Sequence, residues 1–275
     1  MIVQCQIYVL GKGFIPVDEV SPGDQVYRLN GMKPEVGQVD SVSSEIVNDR
    51  LYHIQTGLQQ VIATEDTRYP YYSEENGLRY IAFNQIERLT PNKEYSSTKF
   101  LPVLSMPMFE GTRTCSDQEL EYLVRMMVLE KISLNLKEFF SISTRMNGDD
   151  AFVFIDILEH WASVTPGAGF FGRNNRKSRA FFFLNKEVSE EICRLACLVG
   201  CCTMMYESES GYALQIFFEG MPIPGNVPKN EKYKRAHYYG PVYNLNSNNL
   251  PVFGRYGTRA YYLPFTSTLN AEVYN

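Results

Sequence analysis

Residues 59–72 read QQVIATEDTRYPYY, and the way this stretch divides decides the fold. Residues 59–64 are a short apolar run with strand character. Thr64-Glu65-Asp66-Thr67 then supplies two hydroxyls and two carboxylates before aromatic residues resume at Tyr69. The tetrapeptide holds no imidazole, the side chain that titrates unperturbed near neutral pH.

Upstream and downstream the texture is the same through residue 106. QCQIYVL, GFIPVDEV, QVYRLN, LYHIQT and RYIAF are short apolar or alternating runs, punctuated by Gly, Pro, Asn and Asp. Ser21-Pro22-Gly23-Asp24 suits a tight type II turn, with Pro and Gly adjacent. Strands this short at this spacing predict a sandwich-like or barrel-like β domain.

Beyond Pro107 the pattern changes to α+β. Ser116 and Glu119 have the spacing of a capping box, and ELEYLVRMMVLEKI follows at helical spacing. A second helix is expected over DDAFVFIDILEHWASV, a strand over SRAFFFLN, a helix over KEVSEEICRLACLVG closed by Gly200, and a hairpin over CTMMYES and GYALQIFFEG. MPIPGNVPKNEKYKR marks a boundary, and PVYNLN, LPVFGRY and TRAYYLPF return to β. The fold class expected is α+β: a split β domain at 1–106 and 222–275, interrupted by an α+β domain at 107–221.

The chain has 275 residues, 44% apolar and 13% aromatic, enough for a sizeable core. Its formal charge of −5 disfavours DNA as a partner unless a local basic patch works against the global field. There is no N-terminal basic-then-apolar signal, and no apolar run nears the roughly 20 residues that span a bilayer. The expectation is no membrane role and a cytoplasmic or particle-borne protein. Cys193, Cys197, Cys201 and Cys202 crowd into one amphipathic segment without a matching Cys/His pair, so they read as core residues and no metal site is expected.

The order β, α+β, β resembles a Hint domain, the fold of inteins and hedgehog autoprocessing modules, split by a LAGLIDADG-type homing endonuclease. GKGFIPVDEVSPGDQVY at 11–27 resembles the N-terminal Hint pattern, and the Thr64 segment with RYIAFNQIERL at 79–89 resembles the T-x-x-H block. PVYNLNSNNLPVFGRYGTRAYY at 241–262 resembles the C-terminal strands of phage-borne inteins. By this resemblance the positions of the splicing chemistry are Met1, Thr64, Thr67, Leu263 and Pro264, and each departs from what splicing requires.

Met1 stands where a Cys or Ser nucleophile belongs, and no upstream carbonyl for it to attack is expected. Cys5 is the nearest thiol and reads as a strand residue. Thr67 replaces the block histidine, and Leu263-Pro264 occupies the place of the cyclising Asn. Asn275 is the last residue of the sequence, and no cyclisation with cleavage is expected there. His53 reads as a structural strand residue; His237 could sit near the old splicing centre.

In the insertion, residues 122–130 and 152–160 resemble the paired LAGLIDADG helices, with Glu130 and Glu159 at the acidic positions. These two would hold Mg²⁺ if they converged, the cofactor of a nuclease reading only. Arg125, Ile155, Lys131 and Trp161 replace small residues where the helices should touch, and only residues 133–150 separate them. Arg173, Arg176, Lys177 and Arg179 could contact phosphates, although a solvated loop is the blander reading, as is a solvated linker for KNEKYKR.

The function expected is therefore a non-catalytic, intein-derived protein-binding or structural component of a bacteriophage. It would be virion-associated or in the host cytoplasm, without cofactor. The alternatives are a metal-dependent endonuclease and a non-cleaving DNA-binding protein.

Overall fold

Strand pairing across more than 180 residues of sequence sets the architecture: Lys234–Asn246 lies antiparallel to Ser41–Gln55, from Lys234 opposite His53 to Asn246 opposite Ser41. The computed structural model describes residues 1–31, 33–55, 60–73, 77–82, 99–100, 112–129, 134–164, 178–217, 234–263 and 265–266. It divides into two units, Met1–Pro102 with Pro222–Asn275, and Val103–Met221.

The first unit contains β1 (Ile2–Val3), β2 (Gln6–Val9), β3 (Gly13–Pro16), β4 (Gln25–Asn30), β5 (Lys33–Gln38), β6 (Ser41–Gln55), β7 (Gln60–Ala63), β8 (Thr67–Ser73), β9 (Gly77–Ala82) and β10 (Lys99–Phe100). Strands β14 (Lys234–Asn246), β15 (Val252–Tyr256), β16 (Arg259–Leu263) and β17 (Phe265–Thr266) complete it; β11 to β13 belong to the second unit. Strands β1, β14, β6 and β7 close into a small barrel. Strand β15 pairs with β16, β2 and β4, while β3 pairs with β2 and β5 with β4. A further sheet joins β9, β10 and β17 to β8.

Ring contacts fill the core of the β15 sheet. Tyr8 meets Phe14 edge-on at 5.1 Å, Phe14 lies 5.6 Å from Phe253, and Phe253 lies 5.9 Å from Tyr262. Such offset and edge contacts are the favourable geometries for aromatic pairs. The turn over residues 21–24 closes with the Asp24 amide donating to the Ser21 carbonyl at 3.1 Å, and Gly23 at φ 92° supplies the left-handed position a type II turn needs.

Three local expectations give way in this unit. The strand expected over GFIPVDEV ends at Pro16, where a 3₁₀ turn, Val17–Glu19, takes over. Strand β6 begins ten residues before LYHIQT; its first part is largely exposed and carries little apolar alternation. KNEKYKR is not wholly linker, because Lys234 and Arg235 open β14.

The second unit holds α1 (Asp117–Leu129), α2 (Leu136–Ser143), α3 (Gly148–Val164), β11 (Ser178–Phe183), α4 (Lys186–Leu198), β12 (Cys202–Ser208) and β13 (Gly211–Phe217). Strand β13 pairs with both β11 and β12. Helix α1 starts with a reciprocal capping box: the Ser116 amide donates to Glu119 Oε2 at 2.8 Å, and the Glu119 amide donates to Ser116 Oγ at 3.2 Å. Helix α4 ends in a Schellman motif. The Cys201 amide donates to Ala196 O at 2.8 Å and the Gly200 amide to Cys197 O at 2.9 Å, with Gly200 at φ 76°.

Helix α2 falls within the stretch read from sequence as a mere connection, and Asn135 caps it through Glu138 N. The bulk expected to hold α1 and α3 apart is accommodated instead: the Arg125 guanidinium lies over the Trp161 ring, 5.5 Å from its centroid. Cys193, Cys197 and Cys201 are buried in the core of this unit.

Two buried polar hubs brace the helices. Glu191 and Arg194, 2% and 3% exposed, pair within α4 at 2.7 Å, and Arg194 Nη2 also donates to the Ser143 carbonyl at the end of α2 at 2.6 Å. A cation at a helix C-terminus meets the negative end of its dipole. Asp150, fully buried, accepts from the amides of Thr114 at 3.0 Å, Cys115 at 3.2 Å and Asn147 at 3.2 Å, and from Thr114 Oγ1 at 2.6 Å. Burial raises the pKa of this carboxyl, but hydrogen bonds from Thr114, Asn147 and Cys115 outweigh burial and leave it below its ordinary value.

Replacing Asp150 by Ala strands those donors in the interior. Asp150→Ala should cost about 3–5 kcal/mol in urea unfolding, whereas Asp156→Ala, on the exposed side of α3, should stay within about 0.5 kcal/mol.

Candidate functional site

Strand β1 is only two residues long, yet it is held on both edges. Ile2 pairs with Tyr243 of β14 and with Ala63 of β7, and Val3 pairs with Val242. This wedge delivers Met1 to the end of β7, where the Thr64 amide donates to the Met1 carbonyl at 2.8 Å. Thr64-Glu65-Asp66-Thr67 is a turn, closed by Thr67 N donating to Thr64 O at 3.2 Å. Both threonine hydroxyls thereby face residue 1.

The Met1 amino group donates to Thr64 Oγ1 at 2.5 Å and to Thr67 Oγ1 at 2.6 Å. Thr67 Oγ1 donates back to the Met1 carbonyl at 2.9 Å, and Thr64 Oγ1 donates to the Asp66 carboxylate. Each hydroxyl thus accepts from the amine and has a distinct acceptor for its single proton. Asp66 Oδ1 lies 3.7 Å from the amine, an ion-pair distance rather than a hydrogen bond.

Burial dominates the electrostatics. It lowers the pKa of the Met1 amine from 8.0 to about 6, against the smaller raising effect of the Asp66 carboxylate. Asp66 is 57% exposed, so water screens its attraction. Burial thus favours the uncharged form of a free amine at this position.

The C-terminal strands come to the same turn. In β17, Thr266 is in register with Thr67 and Phe265 with Arg68. Leu263, the last residue of β16, is fully buried, and Pro264 and Asn275 lie outside the described residues. The structure therefore brings Met1, Thr64 and Thr67 into direct contact and sets β17 beside Thr67.

Other sequence candidates stand apart from this turn. Cys5, between β1 and β2, is buried, and burial pushes its thiol up to about 12, far from a thiolate nucleophile. His237 is exposed on β14 opposite Arg50. That is five residues from Val242, the partner of Val3, roughly 17 Å along a strand, so His237 does not lie beside residue 1.

Glu159 lies half-buried in α3, while Glu130 is outside the described residues, as are Arg173, Arg176 and Lys177. Arg179 occupies β11 opposite Ile216. Among the described residues no group of three or more His, Cys, Asp and Glu is placed to hold a metal ion. Nor is any helix among them long and apolar enough to cross a membrane. The residue that sequence reasoning passed over is Asp66, whose only signal was its place inside the Thr-x-x-Thr frame.

No family model matches the chain, and no curated protein matches it. Among solved structures it is similar to the G-1F mutant of the Ssp DnaB mini-intein variant M86, at 16% identity and a TM-score of 0.27, over 42% of this chain. The match spans 63% of that mini-intein's length.

Two outcomes follow for a protein with the Met1 amino group free. An amine whose folded pKa lies below its unfolded one binds fewer protons when folded. Its stabilising contribution is complete above pH 8.0 and is lost as pH falls toward about 6. Unfolding free energy should rise by about 2–3 kcal/mol across this window, and N-terminal acetylation should remove that rise. Thr67→Val, which keeps the shape and deletes the hydroxyl, should cost about 1–3 kcal/mol in the same assay.

Proposed function

We propose that the unit formed by Met1–Pro102 and Pro222–Asn275 is a Hint-like splicing scaffold without splicing chemistry. On this reading the protein serves as a non-catalytic, protein-binding or structural component of a bacteriophage, in the virion or the host cytoplasm. The observation that carries the reading is the meeting of three distant segments. Residue 1 is held by both threonines of the Thr-x-x-Thr turn, and β17 lies in register with the same turn.

Splicing would need those segments at one point, since a nucleophile at residue 1, a proton donor at the turn and a cyclising amide near the C-terminal strands must act on one peptide. Here the side chains at that point are the thioether of Met1, two hydroxyls and one carboxylate. Thr67, fully buried, spends its hydroxyl on holding residue 1. A hydroxyl so engaged cannot protonate a leaving nitrogen near neutral pH.

For the inserted unit, Val103–Met221, the reading is a degenerate LAGLIDADG-like domain. What supports it is the packed helix pair α1 and α3 with Arg125 stacked on Trp161, a large cation and a large ring where such a pair uses small residues. DNA is then no substrate, and no Mg²⁺ is required.

A folded reporter fused ahead of Met1 tests both halves of the reading. The wild-type fusion should remain intact on prolonged incubation with dithiothreitol, and cleavage at the Met1 junction would overturn the non-catalytic assignment. The double variant Met1→Cys, Thr67→His restores a thiol and an imidazole to the same positions. It should release the reporter in a thiol-dependent manner, and an inert double variant that still folds contradicts the scaffold assignment.

A further inference from the structure

The ribbon made by β6 and β14 has two unlike faces. Residues opposite one another in an antiparallel pair share a face, and alternate residues along a strand share it too. Glu45, Val47, Asp49 and Leu51 therefore lie with Val242, Gly240, Tyr238 and Ala236 on one face. This is the inner face, where Leu51 and Val242 form a core cluster with Val3, and Val47 and Tyr238 pack against it.

The outer face is assembled differently. Ile46 lies opposite Pro241, Asn48 opposite Tyr239, and Arg50 opposite His237. Tyr239 and Ile46 are 74% and 66% exposed, the two most exposed large hydrophobic residues among those described. Their diagonal placement sets them roughly 7–8 Å apart. Tyr52 and Tyr243 are buried at the two ends and bound this strip.

Charge on the strip has one sign. No Asp or Glu occupies this face between the Ser44–Tyr243 pair and the Tyr52–Arg235 pair, although the whole protein carries −5. Both acids of this stretch, Glu45 and Asp49, belong to the other face. Arg235 closes the strip, its guanidinium 4.5 Å from the centre of the Tyr52 ring and donating to the Tyr52 hydroxyl. Rows of side chains therefore run from apolar, Ile46 with Pro241, through Tyr239, to basic, Arg50 with His237.

We propose that this outer face binds an extended, acidic segment of a partner protein, with apolar side chains on Ile46 and Tyr239 and carboxylates on Arg50. The proposal rests on the reading of the protein as a binding component and names the surface and the chemistry of the partner. An extended peptide repeats every two residues at about 6.6–6.8 Å, the same repeat as the ribbon's rows. An apolar residue and an acid four positions apart on one peptide face would therefore meet the apolar and basic rows together. Tyr and Arg without Lys, Asp or Glu is the composition of interface centres. A nucleic-acid strand fits less well, because phosphate binding grows with the number of Lys and Arg contacts and the strip offers no lysine.

The probe is a fluorescein-labelled peptide in which Ser alternates with Phe or Glu, so that Phe and Glu share one face when extended. Its anisotropy is followed against the full chain. Binding should weaken about tenfold or more in Arg50→Glu and in Tyr239→Ser, with added salt weakening the wild type further. Tyr206→Ser, an equally simple change at an exposed tyrosine of the other unit, should leave it unaltered. Both test positions are exposed, and unchanged circular dichroism melts verify folding.

No binding, binding indifferent to Arg50 and Tyr239, or equal binding of a peptide with Phe and Glu on opposite faces overturns the proposal. So does preferential binding of an oligothymidine through the same residues, which would make the strip a nucleic-acid surface. Release of the reporter by the Met1→Cys, Thr67→His fusion should be untouched by substitutions at Arg50 and Tyr239, so failure of the surface and failure of the scaffold are told apart.

Discussion

The register between β6 and β14 is the constraint on which the first unit depends. It runs from Lys234 opposite His53 to Asn246 opposite Ser41, and it joins residues on either side of the inserted unit. Because the side-chain repeat of a strand is two, a slip of β14 by one residue against β6 would turn Val242 outward and Tyr239 inward. The same slip would move Val242 and Tyr243 away from Val3 and Ile2. Residue 1 would then lose its place against Thr64 and Thr67. Core, candidate site and outer strip are consequences of one pairing.

At the site, holding and reacting are opposed uses of the same groups. A buried hydroxyl that accepts from the Met1 amine and donates to the Met1 carbonyl has its hydrogen-bonding capacity committed. That satisfies polar groups in a place where an unmade hydrogen bond would cost about 1–3 kcal/mol. Thr67 therefore serves to hold residue 1 against the turn. In the second unit the Arg125–Trp161 stack likewise joins α1 to α3.

Features encoded by neighbours in sequence were legible from it. The capping box of Ser116 and Glu119, the turn at Pro22-Gly23 and the Gly200 terminus of α4 each need only a few adjacent residues. Helix α2 was not legible, being eight residues long and lying between two longer helices. The outer half of β6 was hidden for a different reason: it is exposed, so its sequence SVSSEIVNDR has no strict alternation to reveal a strand. Thr64 and Thr67 could be picked out by their frame. Their contact with residue 1 spans more than sixty residues, as the 63- and 66-residue separations of those hydrogen bonds attest, and rests on β1 pairing that no local pattern specifies.

For a protein with the Met1 amino group free, the ionisation of that amine is the most direct report on the claim that the Thr-x-x-Thr turn holds residue 1. Nuclear magnetic resonance of protein labelled at Met1, followed through a pH titration, reads it at the atom concerned. A midpoint at about 6, shifted on Thr67→Val, is the result expected of an amine held by the two threonines. A midpoint near 8.0, unaffected by Thr67→Val, would place the amine in water and contradict the account.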